Sequence, residues 1–191
     1  MKLTKYRCLK NERVGKPNGY HLKTIQPENI EQIRIWRNAQ TDVLRQQHLI
    51  TPEEQQAYFD QHIWPTLTDE HPKQILLSFF KNDKIIGYGG LVHVNWDSKH
   101  AEISFLADPT DNNYEENFTN FLELLCQVAF LELKLHRLYT ETFAYRTAHV
   151  QILEKAGFKP EGKLREHTQK RNQWQDSLLH GLLAREFLHE K

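Results

Sequence analysis

The stretch from His100 to Leu133 holds the residues whose types and spacing could do chemistry. Its first eight residues alternate as a strand, with Ala101, Ile103 and Phe105 on one face and Glu102 and Ser104 on the other. A polar loop, Asp108 to Asn113, follows. Then Phe118, Phe121, Leu122, Leu125, Ala129 and Leu133 recur at helical spacing. A strand that ends in a polar loop and feeds a helix start gathers backbone N–H groups that have no intrahelical acceptor. Such a place suits an anionic ligand. His93 and His100 flank the hairpin that leads into the strand, and a neutral imidazole is a competent base near pH 7. Each alone is more often an ordinary turn or strand histidine.

Other constellations carry less. None of the 11 histidines shows the paired spacing of a zinc site, and Cys8 and Cys126 do not cluster with them, so no metal is expected. Gly87-Tyr88-Gly89-Gly90 lacks the Lys-Ser/Thr of a phosphate loop and sits within a strand pattern. It reads as a bulge or as a close backbone approach. Trp36, Tyr58 and Trp64 line either an acceptor pocket or the core.

These groups need elements to hold them. Tyr6 to Leu9 and Tyr20 to Ile25 read as two short strands joined through Lys16-Pro17-Asn18-Gly19. Pro27 opens a helix that ends near Asn38, with Ile30, Ile33 and Trp36 or Arg37 inward. Thr51-Pro52-Glu53-Glu54 starts a second helix with a capping box, running to about His62. Gln74 to Phe80 and Lys84 to Val94 form a hairpin across Asn82-Asp83. After the long helix, Arg137 to Phe143 is a strand. Thr147 to Ala156 is a helix with Val150, Leu153 and Ala156 inward and Gly157 at its C-terminal end. A hairpin from Phe158 to Ala184 closes the chain. Strands on both sides of a crossover helix imply an α/β (α+β) fold in one domain over 1–191, a mixed, mostly antiparallel sheet with helices on both faces.

Composition narrows the partners. Charges balance to zero over 191 residues, against a nucleic-acid or acidic-membrane binder, which would show a basic excess. The start lacks the apolar core of a signal peptide, and no run is long enough to span a bilayer. The expectation is a soluble cytoplasmic protein. Exposed edge strands at either end of the sheet would allow a homodimer.

The order of elements, the segment AEISFLADP and the segment LEKAGFKPEGKLREHTQKRNQWQDSLLHGLLAREF resemble the GNAT superfamily of acyl-CoA-dependent N-acyltransferases. The similarity is greatest to the branch with the ribosomal-protein N-terminal and polyamine acetyltransferases. Leu153 to Phe158, Glu161-Gly162, Asp176 and Gly181 follow that branch's pattern. Trp36-Arg37-Asn38 resembles acetyltransferases of nucleotide-linked amino sugars.

The resemblance implies acetyl-CoA as co-substrate and no metal. It implies a sheet splayed at its central strands, with pantetheine along the backbone of Phe105, Leu106 and Ala107 as an added strand would lie. It puts the pyrophosphate at Asn113, Tyr114, Glu115, Glu116, Asn117 and Phe118, where the family carries Arg/Gln-x-x-Gly-x-Gly/Ala. Here no glycine remains and two carboxylates occupy the first turn. Asn113 and Glu116 also read as a capping pair. The family's Asn and proton-donating Tyr fall on Arg146 and Leu153. Arg146 could meet a phosphate, Leu153 cannot donate a proton, and Tyr145 is a nearby donor. Glu102 fills the general-base position, and Trp36, Arg37, Asn38 and His93 fall on the acceptor side. Three readings follow. One is an N-acetyltransferase acting on a small-molecule or peptide amine (a protein N-terminus, a polyamine or a nucleotide-linked amino sugar). The second is a GNAT-fold binding or scaffold protein. The third is an acyltransferase-like enzyme with a different donor.

Overall fold

The computed structural model describes residues 5–189, so both ends of the expected 1–191 domain lie outside it. Eight strands form one sheet: β1 Arg13–Gly15, β2 Tyr20–Thr24, β3 Ile75–Lys81, β4 Lys84–Asn95, β5 His100–Ala107, β6 Arg137–Phe143, β7 Lys159–Lys170 and β8 Gln173–Leu183. The spatial order is β1-β2-β3-β4-β5-β6-β8-β7. Only β5 and β6 run parallel, joined by a helical crossover. The helices are α1 Ile30–Ala39, α2 Pro52–His62, α3 Tyr114–Cys126, α4 Thr147–Lys155 and α5 Ala184–His189.

Local chemistry accounts for the starts and stops. Thr51 Oγ1 accepts the Glu54 amide at 3.2 Å and the Glu54 carboxylate accepts the Thr51 amide at 2.8 Å, the capping box written in that sequence. Gly157 ends α4 at φ 90°, a left-handed conformation that costs glycine least. Gly89 meets β5 so closely that a Cβ there would stand 2.1 Å from Ser104 O and 2.8 Å from the Phe121 ring. The close approach signalled by Gly87 to Gly90 is therefore by the neighbouring strands of this same chain.

The sheet separates two cores. On one face α3 and α4 bring Phe118, Phe121, Leu125 and Leu153 against Phe79, Ile103 and Leu138. On the other, Ile30, Ile33, Trp36 and Phe59 of α1 and α2 pack on Leu76, Tyr88 and Leu106.

Four expectations need correction. Tyr6 to Leu9 is a turn, not a strand: Leu9 N–H closes on Tyr6 O, and the buried Tyr6 hydroxyl accepts the Leu76 amide at 3.1 Å. The first strand is β1. In α4 the inward residues are His149, Ile152 and Leu153, with Val150 only half-buried. The long helix does not stay α-helical to Leu133, because Gln127–Glu132 forms a π-helical turn in which a periodicity of 3.6 lapses. Asn113 and Glu116 form no capping pair: the Asn113 side chain bonds Asp111 instead, at 2.9 Å. A short terminal helix, α5, follows β8 directly.

Candidate active site

β5 and β6 pair only through His100↔Arg137, Ala101↔Leu138 and Glu102↔Tyr139. Beyond Glu102 they diverge, and the divergence opens a cavity of about 200 Å³. Ile103, Ser104 and Phe105 line one side, Thr140 to Phe143 the other. Phe118 of α3, Arg146 at the start of α4 and His149 within it close one end. Val43 to Arg45, between α1 and α2, and His93 close the other.

Alternation along β5 decides which backbone groups face the gap. Asp108 N–H donates to Ile86 O at 2.8 Å, which makes Leu106 and Tyr88 a hydrogen-bonded pair in the same register. The polar groups of Leu106 are thus committed to β4. Those of Ile103, Phe105 and Ala107 point away from β4, towards the gap, where Gln40 Nε2 donates to Ala107 O at 2.9 Å. Of the three expected pantetheine positions, Leu106 turns its polar groups to β4, Ala107 has its carbonyl taken by Gln40, and Phe105 faces the gap.

Glu102 lies inside the cavity with its side chain 14% exposed, and His93 Nδ1 stands 2.8 Å from its carboxylate. His93 adopts φ 49°, a left-handed conformation rare for a side-chain-bearing residue, at the irregularity between β4 and β5. Its ring is 70% exposed, so the pair links the cavity to water. Two residues, Glu102 and His93, that sequence had placed separately are thus one unit.

A second carboxylate, Glu141, lines the same cavity. The Glu102↔Tyr139 register puts Glu141 on the Glu102 face, a placement legible only once that pairing is known. Arg45 and His167 pair with it. Burial pushes its pKa up, but the hydrogen bonds from Ser177 and Arg45 outweigh this and hold it below the usual carboxylate range.

On the other wall, Arg146 Nη2 donates to the Tyr114 hydroxyl at 3.0 Å, and that hydroxyl stands 2.8 Å from His149 Nδ1. Arg146 Nη2, which can only donate, also stands 3.5 Å from His149 Nδ1, so Nδ1 is assigned as the acceptor of the Tyr114 proton and the His149 proton to Nε2. Burial, helped by Arg146 and His180, pushes the His149 pKa down to about 2, so the ring is neutral. It stacks on Phe118 with centroids 4.3 Å apart. Sequence reasoning missed His149, because the phase of α4 was set one residue off.

The helix start that carries two carboxylates does not aim them at an incoming anion. Glu115 reaches sideways to Lys155 Nζ at 2.7 Å. Glu116 accepts from the Tyr20 hydroxyl at 2.9 Å, and Lys81 stands 3.4 Å away; both hold its pKa below the usual carboxylate range. Asn117 is buried, its side-chain oxygen 2.9 Å from the same Tyr20 hydroxyl. Neither glutamate is turned onto the first-turn amides, but the Asp111 carboxylate sits at the helix start, accepting the Asn113 N–H at 2.9 Å, and Phe118 fills, with a buried ring, a position expected to be small.

The remaining expectations divide. Arg37 lines a second cavity, of about 420 Å³, between α1, α2 and the sheet, which shares Val92 and Ser104 with the first. Trp36 does not reach it, being 3% exposed in the α1/α2 core. Asn38 is structural: its side chain bonds both the N–H and C=O of Ile50, at 2.9 and 2.8 Å, and shapes the loop before α2. Leu153 is buried in the core, and the exposed Tyr145 hydroxyl donates to Asp42 O. No group of three or more metal-ligating side chains occurs among the described residues, and no described helix is long and apolar enough to cross a membrane.

A cleft opened by divergence of two parallel central strands, beside a helix start, is the geometry the resemblance implied. The acetyltransferase (GNAT) domain model matches residues 22–179, most of the chain. The chain belongs to the GNAT acetyltransferase family. As a GNAT domain it is an acyltransferase, and the eight-stranded sheet is the GNAT fold. Its fold is similar to that of spermidine N-acetyltransferase from Vibrio cholerae solved with CoA and spermine. The TM-score is 0.79 at 17% identity, covering 89% of this chain and 98% of that one. A chimera of the Vibrio cholerae enzyme with hSSAT gives 0.80 at 18% identity, covering 89% and 98%. No curated protein sequence matches significantly.

Proposed function

We propose that this GNAT protein moves an acetyl group from acetyl-CoA to a primary amine, on a small molecule or a peptide. The observation that carries the reading is the gap itself. The C=O of Ile103 and both the N–H and C=O of Phe105 lie beyond the last β5–β6 pair and face it, as an added extended ligand requires. The residues fit the co-substrate: that edge for pantetheine, and the α3 first-turn amides with Arg146 for phosphate. The Vibrio cholerae relative, which holds CoA in the same fold, supports the same assignment.

Bound acetyl-CoA supplies the acetyl group as a thioester, and the protein's own residues manage protons and position. Glu102, low in exposure and inside the cavity, takes a proton from the incoming ammonium, and His93 passes it to water. Val92 and Ser104, shared by both cavities, mark where the amine meets the acyl group. On the opposite wall His149 holds its proton on Nε2 and gives it to the departing sulfur, while Tyr114, whose pKa burial pushes up against a partial offset from Arg146, refills Nδ1. The second amine proton, freed as the amide forms, restores the one spent. The Tyr114–His149 relay thus takes the part that Leu153 cannot.

One observation favours a second reading, a GNAT-fold binding protein. Phe118 puts a buried aromatic ring where the family keeps a small residue beside the pyrophosphate. Thiol release from acetyl-CoA, followed with a chromogenic disulfide across a panel of amines, separates the two. Amine-dependent release with matching acetylated product supports transfer. Its absence at every amine, with the protein folded, supports the binding protein.

A further inference from the structure

The second cavity holds a guanidinium that no described carboxylate meets at ion-pair distance. It is lined by Ile33, Arg37, Glu54, Tyr58, Tyr88 and neighbouring residues, and it joins the first cavity at Val92 and Ser104. Most of its polar side chains are already partnered within the fold. Glu54 caps α2 through the Thr51 amide at 2.8 Å and stands 3.3 Å from His48. Gln55, 4% exposed, donates to Ile30 O at 3.0 Å, and the Tyr58 hydroxyl donates to Gln74 at 3.1 Å. Arg37 differs. One guanidinium nitrogen donates to the buried Tyr88 hydroxyl at 2.8 Å, and no described carboxylate lies within ion-pair distance of it. A guanidinium has five donors in a rigid fork matched to carboxylate and phosphate. Half-buried, held in place by a neutral phenol and left without a counter-ion, it is a prepared anion site.

We propose that this cavity selects acceptor amines that also carry an anionic group, carboxylate or phosphate, held by Arg37. This rests on the acetyl-transfer reading for the fate of the amine, but not for the binding. Polycationic acceptors, such as the spermine bound by the Vibrio cholerae relative, would meet the Arg37 charge unfavourably. The volume of about 420 Å³ suits a small metabolite-sized group or a peptide terminus.

The test uses matched probes: glycylglycine against glycylglycinamide, O-phosphoethanolamine against ethanolamine, and spermidine. Binding is read by saturation-transfer NMR, and acetylation by thiol release, for the wild type, Arg37→Gln and Arg37→Lys. The expected result is that an anionic member binds, and is acetylated, roughly tenfold or more better than its neutral match, the scale of a charge-assisted hydrogen bond. Arg37→Gln collapses that ratio towards one, and Arg37→Lys keeps part of it. The two pairs decide between carboxylate and phosphate. Equal or better use of the neutral members or spermidine by the wild type overturns the inference, as does a ratio unchanged in Arg37→Gln. If the probes bind with this discrimination and none is acetylated, the transfer reading falls and the anion site stands. If amines are acetylated without discrimination, the reverse holds.

Discussion

Replacing Glu102 by glutamine removes the proposed base while keeping its shape. The structure sets both sides of the expected result. Glu102 touches the rest of the fold through one polar contact, the 2.8 Å pair with His93, whose ring is 70% exposed. Exposed pairs contribute on the order of 0.2–1 kcal/mol to stability. For a domain of this size that is a melting shift of roughly 2–4 °C at most. The catalytic loss is far larger. A positioned general base contributes about 10²- to 10⁴-fold, or roughly 2.7–5.4 kcal/mol of barrier at about 1.36 kcal/mol per decade. Stability and catalysis therefore separate cleanly. The assay is kcat and KM for acetyl-CoA-dependent amine acetylation across pH, beside a thermal melt. Glu102→Gln should lose kcat/KM, keep its melting temperature, and recover rate as pH approaches the amine's own pKa, because the free amine then arrives without help. His93→Ala should lose less, since water can accept the proton from Glu102. A Glu102→Gln enzyme with more than a third of wild-type kcat/KM at neutral pH would refute the reasoning.

Three further outcomes follow from the same geometry. Tyr114→Phe should lower kcat about tenfold or more with the natural thioester, and much less with an acetyl thioester of an acidic thiol that needs no proton to leave. An equal loss with both donors would reduce Tyr114 to packing. Gly89→Ala places a methyl 2.1 Å from Ser104 O and 2.8 Å from the Phe121 ring, so chemical denaturation should show a destabilisation of about 1–3 kcal/mol. His149 is neutral when folded, with its pKa pushed down to about 2, whereas the unfolded ring titrates near 6.5. The unfolded chain then binds the extra proton below 6.5, so its contribution to stability is complete above that pH and falls steadily as pH drops below it. Urea unfolding between pH 7 and 5 should show that slope, and His149→Phe should flatten it.

What the sequence disclosed, and what it withheld, follows from the range of the forces involved. Local signals were legible. The Thr51-to-Glu54 capping box, the bounds of β5 at His100 and Ala107, and Gly157 ending α4 each depend on residues within a turn of one another. The expected splay was legible through family resemblance, since the divergence of β5 from β6 leaves no mark on either strand alone. What failed depended on distant contacts. Tyr6 alternates like a strand, yet its ring is buried as a plug whose hydroxyl meets Leu76, 70 residues away. Glu115 and Glu116 looked hostile to an anion until Lys155, Lys81 and Tyr20 arrived from other elements to turn them aside. His149 and Glu141 entered the site only through helix phase and strand register, both fixed by packing rather than composition.

The proposed function requires a helix start without glycines to receive acetyl-CoA, with Glu115 and Glu116 held sideways by Lys155, Lys81 and Tyr20. Isothermal titration of acetyl-CoA into the wild type and into Lys155→Ala and Glu115→Gln/Lys155→Ala variants tests it most directly. The expected result is micromolar binding by the wild type, several-fold weaker binding once Glu115 is released, and recovery when its charge is also removed. A wild type that binds no acetyl-CoA, or affinities indifferent to both substitutions, would contradict it.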